Sequence, residues 1–578
     1  MRTARHLLLA LLLLAAPLPA SAVEVKVVVE GVTGAVRDNV LAFLSIAHEA
    51  AERDLTAARA RRLHAQAPEE IRRALQPFGY YRPQIQSDLT PADTTLTVRY
   101  RIDPGQPIPL ADLDLQITGA GSEDPAFRAL LADFPLRAGA PLNHADYEAA
   151  KRALQDLATE RGYLEATMPR HQVLIDLQRY EARAAIHFDT GPRFRLGPVS
   201  FEKTDLNPRF LQRFVPFEPG EPYSAARLFE LQNALADSDY FRRVDVDPQP
   251  EQAGDDLQIP ISVQLEEQRR NRYTFGIGYG TDTGARGSAG WLRRRVNRQG
   301  HRLGAEAEVS EIENRLTARY IVPLRRPLTD QFFVTASWLD EHTATRENRT
   351  ALLAASLTRL RRNWQETLSL NFQYEDFEVG SDTGVTTLLY PEAGWRRVVA
   401  DDPIYTTRGW RLNFNLRGTP AALGPDESFL QARAQGKWIH PVGARNRLIA
   451  RADLGYTLID DITGLPASLR FYAGGDQSVR GYKYNGLGPR DAEGEIIGGK
   501  YLVAASLEYE QHLRDRWSAA LFFDTGNALD DLSGALEQGA GVGIRWRSPI
   551  GLIRVDVASA LTESGNPLRL HVVIGPDL

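Results

Sequence analysis

The chain has 578 residues, no cysteine and a formal net charge of −6. That length allows several domains, and the missing cysteines exclude a small disulfide scaffold. The acidic balance argues against nucleic acid as a partner, since Arg293-Arg294-Arg295 is the one basic run.

Arg2 and Arg5 precede an apolar run over 7–16, Pro17 and Pro19 break it, and Ala20-Ser21-Ala22 offers the small residues of a cleavage site. This layout predicts a secretory signal over 1–22, with the mature chain starting near Val23. The plainer alternative is a core helix. The run is too short to span a bilayer, and no later stretch reaches ~18 apolar residues. A closed barrel is then the one way this chain could cross a membrane, because hydrocarbon offers no partner to a free N–H or C=O.

The next 245 or so residues repeat at a period of roughly 80, one supersecondary unit per repeat. Gly139-Ala140-Pro141-Leu142 and Gly220-Glu221-Pro222-Tyr223 each lead into a helical pattern, with Asn143 and Ser224 placed as N-caps. Tyr147, Ala150 and Leu154 share one helix face, as do Leu228, Leu231 and Leu235. Gly162-Tyr163-Leu164 and Asp239-Tyr240-Phe241 follow, and a looser copy stands upstream at Ala74-Leu75 and Gly79-Tyr80-Tyr81. Each copy then alternates as a strand: Leu96, Val98, Tyr100 and Ile102; Ala184, Ile186 and Phe188; Ile259, Ile261, Val263 and Leu265. Three small α+β modules are expected, over 23–106, 107–191 and 192–267. They could be plain spacers, or their sheet edges could accept client strands by β-augmentation.

From about Arg272 helical periodicity gives way to alternation. Leu368, Leu370, Phe372 and Tyr374 fall on one face and Ser369, Asn371, Gln373 and Glu375 on the other. Trp410 to Leu416, Ile553 to Val557 and Leu568 to Ile574 repeat the pattern, with Arg411, Asn413, Arg554, Asp556, Arg569 and His571 opposite. A soluble sandwich alternates too. Counting separates the two, because strands starting near 272, 285, 299, 313, 331, 347, 364, 383, 409, 428, 446, 499, 515, 537, 551 and 567 make about 16, an even number suited to a transmembrane barrel over 268–578. Trp291, Tyr320, Trp338, Trp364 and Trp546 suit interfacial girdles, and Glu306, Glu308, Glu366 and Glu375 a wet lumen. The connection over 460–498 is far longer than the others, and long ordered loops usually carry function.

That loop contains Gly474-Gly475-Asp476-Gln477-Ser478-Val479-Arg480-Gly481-Tyr482, and a later strand carries Phe522, Asp524 and Gly526. A guanidinium in a narrow lumen needs a carboxylate partner, a glycine at 481 permits a sharp turn, and Tyr482 can pack on the wall. A stray arginine on a surface loop is the plainer reading. These motifs resemble the outer-membrane assembly factors whose barrels follow polypeptide-transport-associated (POTRA) domains. Asp402-Pro403, Thr407-Arg408-Gly409 and Gly498-Gly499 ahead of Glu508 resemble that family too.

The resemblance implies a luminal loop with tip Val479, Arg480, Gly481 and Tyr482, an Arg480 to Asp524 pair, and Glu508 in support. Three modules and the ending Ile574-Gly575-Pro576-Asp577-Leu578 resemble the TamA branch, although many barrels end in an aromatic residue. It further implies a weak seam between the first strand (Phe275, Gly276, Gly278) and the last (Leu570, Val572, Ile574), testable by a crosslink between 275 and 572. The glycines at 276, 278 and 280 should leave the first strand short of packing. Implied partners are client outer-membrane and autotransporter proteins, outer-membrane lipid and a TamB-like inner-membrane-anchored protein, in the outer membrane of a Gram-negative cell. A two-partner secretion pore and an envelope tether or lipid-transfer terminus are the competing expectations. No catalytic role, cofactor or metal is expected. His48-Glu49-Ala50-Ala51-Glu52 lacks a second histidine, and Gly276, Gly278 and Gly280 lie within alternating residues rather than at a strand-to-helix turn.

Overall fold

The computed structural model describes residues 24–51, 55–92, 95–402, 404–419, 428–548 and 551–574. The segment read as a signal and the chain end over 575–578 lie outside the described residues. The described residues form two compact units: those up to 198 with 217–229 and 248–261, and 199–216 and 230–247 with those from 262 onward.

The first unit holds two complete α+β modules. In the first, β1 (Glu24–Glu30), β2 (Gln84–Ala92) and β3 (Thr95–Asp103) form a sheet ordered β1-β3-β2, with β1 parallel to β3. Alternation turns Leu96, Val98, Tyr100 and Ile102 into the core, all buried. Three helices cover that sheet: α1 (Gly34–Phe43), α2 (Ser45–Ala51) and α3 (Ala57–Leu75). The sequence pattern marked only the end of α3 at Ala74-Leu75. Its buried stripe of Ala60, Leu63, Ala67, Ile71 and Ala74 is mostly alanine, and Pro68 interrupts it, so the apolar signal is faint. The second module repeats the order with β4 (Leu110–Thr118), β5 (Thr167–Asp176) and β6 (Glu181–Asp189), covered by α4 (Pro125–Ala132) and α5 (His144–Arg161). Asn143 caps α5, its Oδ1 accepting from the Ala145 N–H at 2.9 Å. In the third module β7 (Arg195–Glu202), β8 (Phe241–Pro248) and β9 (Gln258–Glu267) pair in the order β7-β9-β8, with α6 (Pro208–Leu211) and α7 (Ala225–Ala236) between β7 and β8.

The second unit contains a closed antiparallel barrel of sixteen strands, β10 to β25. Its strands are β10 (Asn271–Gly280), β11 (Gly284–Arg293), β12 (Arg302–Ser310), β13 (Glu313–Pro323), β14 (Gln331–His342), β15 (Arg346–Arg361), β16 (Trp364–Val379) and β17 (Asp382–Ala400). The second half comprises β18 (Gly409–Thr419), β19 (Phe429–Val442), β20 (Asn446–Leu458), β21 (Tyr501–Arg514), β22 (Trp517–Leu529), β23 (Glu537–Ser548), β24 (Gly551–Ala560) and β25 (Leu568–Ile574). Every expected strand is present. The largest displacement is β12, which starts at Arg302 rather than near 299, because Asn297 to Gly300 form a tight turn. That turn is occupied: the Gly300 carbonyl accepts the Tyr240 hydroxyl, and the Arg298 carbonyl accepts the Asn207 N–H at 2.8 Å. Arg302 stacks 4.3 Å from the Tyr240 ring centroid and donates to its hydroxyl at 3.0 Å, seating this part of the third module on the barrel.

Along β16 the outward residues Leu368, Leu370, Phe372 and Tyr374 are 41–56% exposed, whereas Asn371, Gln373 and Glu375 are 0–6% exposed. Apolar outside and polar inside is the reverse of a soluble fold, and such a band needs lipid. Among the described residues no helix is long and apolar enough to cross a membrane. The band yields a test. Leu370→Arg, near the middle of β16, should destabilise the barrel in lipid vesicles by ~2–4 kcal/mol in a urea titration, the depth-dependent cost of a cation on the lipid face.

Candidate functional site: a buried arginine on the luminal loop

The connection between β20 and β21 folds back into the barrel and is tied to its wall at intervals. Ser468 N–H donates to Glu375 at 2.9 Å, and Arg470, with a fully buried side chain, pairs with Asp382 of β17. Glu375 is therefore a buried anchor rather than a lumen carboxylate in water, because loop residues occupy the space beside it. Isolated bridges Phe471↔Gly499 and Ala473↔Leu487 close the loop on itself. Val479 is buried with Phe471, Ala473, Leu487, Leu502, Ala528 and Ala560.

At the tip, Arg480 is 3% exposed and uses every donor direction it has. Its Nε and Nη2 grip Asp524 of β22 at 2.7 and 2.9 Å, and its backbone N–H reaches the same carboxylate at 3.1 Å. Nη1 donates to Glu508 of β21 at 2.8 Å and to Asp556 of β24 at 3.1 Å, while Nη2 reaches Ser506 Oγ at 3.3 Å. The guanidinium carbon lies 3.4 Å from the centroid of the Phe522 ring. Arg545 of β23, 1% exposed, bridges the same acids, donating to Glu508 at 2.8 Å and pairing with Asp556. Arg451 of β20 stands 3.8 Å from Asp524, so three guanidiniums face three carboxylates. That balance is what permits the burial, since one unpaired ion in such a place costs several kcal/mol. The space left among these side chains is about 30 Å³, room for one water.

Glycines make the volume. A Cβ on Gly539 would lie 2.0 Å from the Arg480 carbonyl, and one on Gly543 would strike the Asp556 carboxylate. Gly481 has φ +102°, a region that favours glycine, and a Cβ there would lie 2.8 Å from the Ala560 nitrogen. Gly526 likewise abuts the Val503 carbonyl, which accounts for the third position of the Phe522, Asp524, Gly526 motif. Tyr482 packs against the wall and bonds to the Gln538 carbonyl and Glu537, both at 3.2 Å.

A second inward segment rises from the opposite end, between β17 and β18. Asp401 caps it: burial acts against the carboxylate, but donors from Thr407, Arg408 and Asp402 hold its pKa down at about 2. The turn sets Tyr405 between Arg447 and Arg547, 3.9 and 4.5 Å from its ring centroid, with its hydroxyl on Glu510 at 3.0 Å. Asp402, Thr407, Arg408 and Gly409 had marked this segment, whereas Tyr405 had no spacing signal of its own.

The seam looks different. Among the described residues β10 and β25 pair at Gly280↔Val573 alone, while β10 and β11 pair at ten positions and β24 and β25 at seven. Phe275 is 82% exposed. Gly276 and Gly278 are not gaps in packing; a Cβ at either would collide with Ser288 or Arg286 of β11, whose side chains cover them. Leu570 and Val572 pair with β24 at Val557 and Val555, and Ile574 with Ile553. The register also corrects the crosslink position. Val573 faces Gly280 and Val572 therefore faces Thr281, so Phe275 is displaced from Val572 by roughly 20 Å along the strand at about 3.4 Å per residue, beyond disulfide reach.

Removing the arginine should be costly. Arg480→Ala leaves Asp524, Glu508 and Asp556 with too few cations and should lower barrel stability by ~3–5 kcal/mol in urea. Arg480→Lys, lacking the two-pronged grip, should recover less than half of that loss. Tyr482→Phe should cost only ~1 kcal/mol.

Comparison with known proteins agrees with this geometry. Residues 296–577 match the Omp85 superfamily domain, 26–104 the POTRA domain described as TamA domain 1, and 194–268 the surface antigen variable number repeat, a POTRA model. The chain is 25% identical over 366 residues to the outer membrane protein assembly factor BamA of Nitratidesulfovibrio vulgaris, covering 60% of this chain and 46% of that one. It is 22% identical over 415 residues to BamA of Neorickettsia risticii, covering 65% and 54%. It thus spans about half the length of these curated relatives. The crystal structure of Haemophilus ducreyi BamA lacking POTRA domains 1-3 superposes with a TM-score of 0.69 at 16% identity, over 81% of this chain and 99% of that one, and shows the shared fold. The sixteen-stranded barrel with an arginine-tipped loop in its lumen thus carries an Omp85 superfamily domain over residues 296–577, and the modules ahead of it are POTRA domains.

Proposed function

We propose that this protein is an outer-membrane assembly factor of the TamA type, which inserts client β-barrels and autotransporter proteins at the seam between β10 and β25. The short ladder at Gly280↔Val573 carries the reading. A strand edge with few backbone partners is a template for another strand, and a client could pair there while remaining in contact with lipid. The relatives named as assembly factors support the client class. Three modules and the match to a TamA first domain favour that branch, and with it an inner-membrane-anchored, TamB-like partner docking on the periplasmic modules. In this scheme Arg480 fixes the loop so that the wall from β21 to β24 stays rigid while the opposite side of the seam yields. The protein acts by templating, without a catalytic centre or cofactor.

A cysteine pair at Gly280 and Val573 tests the scheme in a chain with no native cysteine. Oxidised, the variant should lose nearly all assembly of a radiolabelled autotransporter barrel into vesicles and regain it on reduction. Undiminished assembly with the bond closed would contradict the proposal. A secretion pore would instead show conductance that rises on deleting residues 474–486, with client released outside the vesicle. Affinity capture on residues 24–267 should recover a long β-rich inner-membrane protein, and capture of none would remove the partner from the scheme.

A further inference from the structure

The luminal loop does more than anchor itself. Four residues before Arg480 it reaches the seam, and there it holds both sides. Asp476 is 9% exposed. It accepts from Thr281 Oγ1 at 3.2 Å, and its own N–H donates to Asp282; both belong to the turn that ends β10. The same carboxylate pairs with Nδ1 of His571 on β25. Thr281 closes the circuit, accepting the Val572 N–H on Oγ1 at 3.1 Å and donating its own N–H to the Val572 carbonyl at 3.3 Å. The barrel register, continued one and two residues past Gly280↔Val573, sets Thr281 opposite Val572 and Asp282 opposite His571.

Asp282, Asp476 and His571 place their ligand atoms within 4.8 Å of one another, close enough to suggest a metal site. The imidazole decides otherwise. Its Nε2 faces the Gly481 N–H at 2.9 Å, a group that can only donate, so Nε2 is bare and Nδ1 carries the proton that points at Asp476. A cation would need the Nδ1 lone pair, which is not free.

We propose that Asp476 is the latch of the seam: the loop tip, through Asp476, holds the first strand's turn and the last strand together from inside the lumen, so the seam parts when this clasp is released. This rests on the seam being the working edge, as argued above. Hydrogen bonds to an ionised carboxylate are stronger than neutral backbone ones, and the clasp supplies several where the ladder supplies little. Asp476 is a positioning residue, acting through the two edges rather than on a client.

The test uses the full chain in lipid vesicles with one thiol, Gly280→Cys, labelled by a bulky maleimide that enters when the seam opens. Asp476→Ala should raise the labelling rate about tenfold, because the bonds from Thr281 and His571 to its carboxylate are lost together. Thr281→Val should raise it less, and the neighbouring Gln477→Ala should leave it unchanged. Heat-modifiable migration on gels verifies that each barrel is folded; if Asp476→Ala fails there, Thr281→Val decides. An unchanged rate in folded Asp476→Ala, or in folded Thr281→Val where the first does not fold, overturns the latch. The crosslinked 280–573 chain reads the functional proposal separately: a latch can fail while the locked seam still blocks assembly, and the reverse outcome rejects the function while the labelling result stands.

Discussion

The guanidinium of Arg480 is the constraint around which the barrel interior is arranged. Out of bulk water it is tolerated only because Asp524, Glu508 and Asp556 converge on it, and those carboxylates are tolerated only because Arg545 and Arg451 complete the charge balance. The acids come from three different strands, β21, β22 and β24, with β23 contributing the second arginine. One ion thus ties four staves and a loop into a single body. Removing any member exposes the others to an uncompensated charge, which makes the cluster cooperative. The glycines at 481, 539 and 543 belong to the same arrangement, because side chains there would fill the volume the network occupies.

That rigidity is unevenly distributed. The wall behind the loop is held by buried ion pairs, by Tyr405 stacked between Arg447 and Arg547, and by ladders of ten or more pairs. The seam between β10 and β25 has a single described ladder pair; two further bonds join Thr281 to Val572, and the loop tip bridges the two edges through Asp476. A barrel built this way concentrates its weakest described backbone pairing in one place, with the tip of the luminal loop beside it. Local opening draws on regions with few buried contacts and solvent-facing backbone, which describes the two strands of the seam, β10 and β25.

Much of this architecture was legible in the sequence, and for physical reasons. Strands that face lipid on one side and the lumen on the other must alternate, so Leu368 to Tyr374 announced itself, and fifteen further strands followed at similar spacing. The loop stood out by length, and the resemblance supplied the Arg480 to Asp524 pair, whose Nε–Oδ2 distance is 2.7 Å. What stayed hidden was partnership. Arg545, Asp556 and His571 look like any inward residue of a polar lumen, because which strands lie side by side depends on barrel shear and not on local pattern. Glu375 was misread for the same reason, its burial coming from a loop some 90 residues away in sequence. Of the first module's helices the sequence marked only the stretch at His48 and the end of α3, whose buried stripe is rich in alanine and contains Pro68, a residue that usually ends a helix. The spacing of Phe275 and Val572 misled because a register cannot be read from one strand.

Hydrogen exchange of the full chain in lipid vesicles tests the central contrast most directly. The amides of Arg480 and Gly481, bonded to Asp524 and His571, should be as slow to exchange as those within β22, whereas the amides of β10 that face β25 should exchange orders of magnitude faster than those facing β11. Fast exchange at Arg480 and Gly481, or uniform protection across both edges of β10, would contradict a barrel locked at its luminal arginine and loose at its seam.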